Sequence, residues 1–174
     1  MTCRELTCWV LLALLALVGS HALAQKIQSG FDPNYQFTAL KTFAFAPLPA
    51  EDPLNARPDL AQRIRTDLRT QLNSIGLRED DAHPDFLVAY SASKQTATST
   101  YSTQATKWSG GESFSQEYTV GTLVTDFIDP TTQRVFWHGT ASETVYAGTL
   151  QKYVPKGVRK LVEAFQKNRD QQSK

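Results

Sequence analysis

Two stretches of one-sided helical periodicity, set apart by strand-like runs, constrain this chain more than any other feature. Leu60, Ile64, Leu68, Leu72 and Ile75 recur at 3.6-residue spacing, which predicts a helix over about 58–75 with a single apolar side. Pro58 suits its first position, Asp59 its positive end, and Gly76 a left-handed stop. A second stripe, Val154, Val158, Leu161, Val162 and Phe165, predicts a helix over about 153–167. Each stripe needs an apolar layer to lie on, and the runs between and before them supply it. Ile27, Ser29 and Phe31 share one side of a first strand, Phe37 and Leu40 suit one tucked helical turn, and 42–45 resumes extended structure. Residues 85–90 are apolar on both sides, as in a central strand. Residues 118–128 and 134–145 form a hairpin about Asp129-Pro130-Thr131-Thr132-Gln133. This order predicts an α+β fold: a two-layer sandwich with a mainly antiparallel sheet and both helices on one face. Only the connection through the first helix is long enough for a parallel crossover.

Residues 1–24 read as a secretory signal peptide. Arg4 precedes an apolar run from Trp9 to Val18, and Ala22-Leu23-Ala24 offers small residues for cleavage near Ala24. The run is shorter than the ~20 residues a membrane-crossing helix needs. Cleavage would leave a single domain over 25–168 and a disordered tail over 169–174, exported to the periplasm or secreted. Both cysteines, Cys3 and Cys8, lie in the leader, so the remainder has no disulfide, no thiolate nucleophile and no cysteine-bound metal. Neither follows the apolar run as a lipid-anchoring cysteine would, so no covalent lipid anchor is expected. Packing alone must then hold the fold, and a domain of ~150 residues buries roughly 70% of its unfolded surface. Charge is nearly balanced, which argues against a nucleic-acid partner. The balance is uneven, however: 151–174 carries seven basic and two acidic residues, while 25–150 carries ten and fourteen.

Residues 91–116 are rich in Ser, Thr, Gln and Gly and read either as two long strands joined near Gly110-Gly111 or as a mobile lid. Around them, "FDPNYQFTALKTFAF", "RIRTDLRTQLNSIGL", "PDFLVAY" and "GTLVTDFIDPTTQRVFWHGTA" together resemble a bacterial domain-of-unknown-function family, number 4136. Its members are exported and often described as lipoproteins. An Asp near the end of the first hairpin strand and a Trp-x-Gly in the second carry the resemblance most specifically, matched by Asp126, Asp129, Trp137 and Gly139. The resemblance implies an envelope protein and brings no catalytic residues and no cofactor.

Candidate chemistry is sparse. His83 and His138 are the histidines outside the leader, too few for a zinc site without several carboxylates. Asp126 alternates with Val124 and Ile128 on an otherwise apolar strand face, either as an acid held in a pocket or as a structural carboxylate bonded to a backbone N–H or to Arg134. Asp129 before Pro130 suits an Asx turn. "GGESF", 110–114, lacks the second glycine of a nucleophile elbow. Tyr101, Trp108, Phe114, Tyr118 and Trp137 could line a groove with Asp126 and His138 over the uncovered sheet face, or form the second half of an ordinary core. Lys152, Lys156, Lys160 and Lys167 line one side of the final helix, where contact with an anionic membrane is open to them. The leading expectation is a non-catalytic module that binds an envelope protein or an apolar, lipid-like component. The alternatives are a small hydrolase using Asp126 and His138, or a purely structural envelope subunit.

Overall fold

The computed structural model describes residues 25–102, 113–145 and 150–172. Six strands form one sheet: β1 (Lys26–Phe31), β2 (Thr42–Phe45), β3 (Arg78–Glu79), β4 (Phe86–Ser102), β5 (Ser113–Ile128) and β6 (Val135–Val145). Two helices accompany them, α1 (Pro58–Ser74) and α2 (Leu150–Gln172). The strand order is β1-β6-β5-β4-β2-β3. The β1–β6–β5–β4 portion is antiparallel, whereas β2 runs parallel to both β3 and β4. The parallel β2–β4 pair is the crossover through α1, as expected. The two-residue β3 has no hydrophobic signature and was not foreseen.

Both helices lie on one face. Ile64, Leu68 and Leu72 of α1 and Val158, Leu161 and Phe165 of α2 share one buried cluster with Phe43, Phe86, Val88, Phe127 and Trp137 of the sheet. Gly76 takes φ 85° just past α1, the left-handed turn that a side chain would resist. A 3-10 turn at Phe37–Ala39 drops Phe37 into this core, fully buried and edge-on to Phe136 at 5.5 Å. A second turn, Pro53–Ala56, is started by Asp52, whose carboxylate accepts the Leu54 N–H. Helix α2 continues to Gln172, where a disordered tail was expected from 169. Hydrogen bonds explain the difference: Arg169 donates to the carbonyls of Ile75 and Leu40, and Gln172 joins the Phe37 N–H and the Pro33 carbonyl. The described parts of the 91–116 stretch, 91–102 and 113–116, are strand, with β4 and β5 paired without a break from Leu87–Ile128 to Ser102–Ser113.

A β-bulge interrupts β6. Ile128 pairs with Val135 and Phe127 with Trp137, so Phe136 is the extra residue. The bulge turns two successive aromatic side chains inward: Phe136 is 3% and Trp137 1% exposed. Trp137 stacks on Phe127 at 4.8 Å, meets Phe165 edge-on, and its Nε1–H donates to Asn168 of α2 at 3.0 Å. Gly139, two residues on and on the same face, leaves room for the indole, since a Cβ there would stand 2.3 Å from Trp137 Cη2. That contact gives the Trp-x-Gly pattern its physical reason.

Candidate functional site

The sheet face opposite the helices is the candidate site. Alternation along the strands assigns its residues. On β6 they are His138, Thr140, Ser142 and Thr144, which face Asp126, Val124, Thr122 and Val120 of β5. These in turn face Ala89, Ser91, Ser93 and Gln95 of β4, and β1 adds Gly30, Gln28 and Lys26 beyond β6. The surface is a hydroxyl-rich array with half-buried Val120, Val124, Ile128 and Leu87 set into it. Thr122 and Ser142 hydroxyls bond across it at 3.0 Å.

At one end of this array His138 Nδ1 lies 2.5 Å from Asp126 Oδ1. The two side chains are 50% and 30% exposed, so the pair faces solvent. Asp126 therefore bonds neither a backbone N–H nor Arg134 but a cross-strand histidine. The bulge is what makes them neighbours: the register Ile128–Val135, carried on unbroken, would set Asp126 against Trp137, and the extra Phe136 moves His138 there instead. A carboxylate oxygen on Nδ1 orients the ring and leaves Nε2 available to a ligand or to water.

The remaining expected site residues part company. Trp137 lies beneath the sheet under α2 and not on the open face. Tyr118 is half-buried at the root of the long β4–β5 hairpin, opposite Ala97. Tyr101 and Phe114 pair across that hairpin, far along the strands from Asp126 and His138. Trp108, like Gly110 and Gly111 of the loop sequence, lies outside the described residues. The structure thus gathers Asp126 and His138 and separates them from Trp137 and Tyr118. His83 sits exposed in the polar loop, its N–H held by Asp80. Of the lysines on α2, Lys152 and Lys167 are exposed, while Lys156 approaches the largely buried Glu143 at 4.0 Å. Lys167 also borders a groove of about 580 Å³ between the C-terminal halves of α1 and α2, floored by Ile75 and Val162.

Local electrostatics mark turns and edges. Asp129 accepts the N–H groups of Thr131 and Thr132 at 2.9 and 2.7 Å, the expected Asx turn. Those donors, chiefly Thr132, hold its carboxyl below the usual range despite some desolvation. Its other oxygen accepts the Tyr35 hydroxyl at 3.2 Å. Burial first, and then the Asp129 charge, push the Tyr35 phenol up to about 12. Burial pushes the Asp85 carboxyl up, but the Lys41 and Thr42 N–H groups at 2.7 and 2.9 Å outweigh it, and the net shift is downward. Glu79 of β3 bonds Arg69 and Arg65, and the Arg65 guanidinium lies 4.6 Å over the Phe45 ring.

Fold and site together define an α+β sandwich with one helix-covered face and one open, polar sheet face that carries an Asp–His pair. The chain belongs to the domain-of-unknown-function family DUF4136, whose model matches residues 27–165. No curated protein matches it. Among solved structures it is similar to a PDZ domain protein from Parabacteroides distasonis, with 19% identity and a TM-score of 0.58, covering 80% of this chain and 35% of that one. It is also similar to the PelC dodecamer from Paraburkholderia phytofirmans, with 12% identity and a TM-score of 0.52, covering 82% and 98%. These likenesses concern the fold alone. Among the described residues, no helix is long and apolar enough to cross a membrane.

Proposed function

We propose that the protein is an exported envelope module, released to the periplasm or the medium after cleavage near Ala24, that binds a protein or an apolar, lipid-like component on its open sheet face. The observation that carries this reading is the contrast between the two faces. Both helices cover one, while Val120, Val124, Ile128 and Leu87 sit half-exposed on the other. Those four side chains give the face apolar contact area that a partner would cover, and larger exposed apolar patches mark interaction sites. Titration with a polarity-sensitive apolar dye, and with vesicles of phosphatidylethanolamine and phosphatidylglycerol, tests it. Val124→Arg weakens binding at least fivefold if the open face is used, and Lys152→Ala with Lys160→Ala leaves dye binding unchanged. If Val124→Arg binds as wild type does, the open face is not the site. A vesicle signal lost only in the lysine variants would instead assign membrane contact to α2.

The 2.5 Å Asp126–His138 bond supports a second reading, a small hydrolase. There the carboxylate would fix the imidazole through Nδ1 so that Nε2 takes a proton from water at the substrate. Turnover of aryl esters that disappears in both His138→Ala and Asp126→Asn, with the fold intact by circular dichroism, would carry this reading. Turnover unchanged in either variant removes the pair from the mechanism.

A further inference from the structure

The outer edge of β4 is open over an unusual length. Strand β2 pairs with it only from Phe86 to Val88, and Ala46 N–H bonds the Val88 carbonyl at 3.0 Å. Val88 therefore turns its backbone groups to that edge, and by alternation so does every even-numbered residue from Tyr90 to Ser102. Among the described residues no strand pairs with them. Such an edge is normally blunted by charge, proline, a bulge or brevity. Here residues 90–102 carry a single charge, Lys94, no proline, and an unbroken register against β5. The outermost strands, β1 with six residues and β3 with two, are short by comparison.

We propose that β4 pairs with β4 of a second copy of this chain, antiparallel about a twofold axis at Thr96. Two features favour this occupant over an unrelated strand. Thr96 is the midpoint of the open edge, so a self-pairing centred there satisfies every outward group from Tyr90 to Ser102. Charge is compatible with it: Lys94 then faces Thr98 of the second copy, whereas a register centred on Lys94 would set two ammonium groups directly opposite. Thr96 faces its own copy, a favourable cross-strand pair. Since β4 leaves each body at Phe86, antiparallel pairing sets the two bodies towards opposite ends of the joined strands.

Charge complementation tests the pairing. Wild-type protein, in reducing buffer, sediments as a dimer at concentrations of about 100 μM. Thr96→Lys and Thr96→Glu, each self-repelling at the axis, weaken the dimer at least tenfold and sediment as monomers, with thermal midpoints close to wild type. Mixed in equal amounts, the two variants re-form a heterodimer by native mass spectrometry. A monomeric wild type overturns the proposal and leaves the edge to a strand of another protein. Dimers that persist in the separate variants, or a mixture that stays monomeric, overturn the placement of Thr96 at the axis.

Discussion

Replacing Gly139 with alanine should show how much of the core depends on one missing methyl group. A Cβ built at Gly139 stands 2.3 Å from Trp137 Cη2, 2.8 Å from Cζ3 and 2.9 Å from Leu161 Cδ2, all well inside van der Waals contact. The indole has little room to retreat, because Phe127 stacks on one side, Phe165 closes another and Asn168 holds Nε1. The strain then falls on the α2 contact and not on a flexible side chain. Overpacking of this kind costs roughly 1–3 kcal/mol, and the clamped ring argues for about 3. For a domain of this size each kcal/mol lowers Tm by about 2–4 °C, so Gly139→Ala should melt roughly 6–12 °C below wild type. The assay is thermal and urea denaturation followed by circular dichroism, with Trp137→Phe as the partner mutation. Phenylalanine lacks the benzo ring that meets the new methyl, so the double variant should lose at least ~1 kcal/mol less than the sum of the singles. A Gly139→Ala protein melting within about 1 °C of wild type, or strict additivity in the double variant, would refute the close-approach argument.

Further predictions follow from the turns and their charges. Asp85→Asn keeps shape but removes the charge that accepts the Lys41 and Thr42 N–H groups, and should cost about 1 kcal/mol in urea denaturation, kept small by solvent screening. Because the folded carboxyl of Asp85 is held low, its contribution is present above the unfolded value and fades as pH falls through the folded one, so Asp85→Asn and wild type should converge in strong acid. Tyr35 has the opposite sign: its folded phenol is raised to about 12, so its contribution is full below the unfolded value of 10 and is lost as pH rises towards 12. Ultraviolet titration should show a late tyrosinate step that Tyr35→Phe diminishes, leaving the contribution of Tyr90, which burial also raises. Arg169→Ala should fray the end of α2 and speed hydrogen exchange in its last turn, since it frees the Ile75 and Leu40 carbonyls.

The periodic parts of the structure were legible because burial writes itself into spacing. The stripe from Leu60 to Leu72 and the stripe from Val158 to Phe165 face one cluster, and the Asp129 turn joins the strands that its residue types suggested. The site was half legible. Asp126 and His138 stood out as polar groups on strands, but their contact depends on a one-residue bulge, and Phe136 looks like any other strand aromatic. Trp137 misled for the same reason: composition cannot tell a buried indole from one that lines a groove, whereas Gly139 beside it was the available sign. The tail from 169 read as solvated because its residues are polar. Arg169 and Gln172 nevertheless satisfy backbone groups more than a hundred residues away in sequence, or close to it, and local patterning carries no trace of such partners.

The meeting of Phe37 and Phe136 with Phe165 has a consequence for how the chain folds. Phe37 stands in the tucked turn after β1, while Phe165 stands on α2, more than a hundred residues later in the sequence. Closing that aromatic chamber therefore waits on a long-range encounter, and contacts of that separation slow a domain's folding relative to one built from local neighbours.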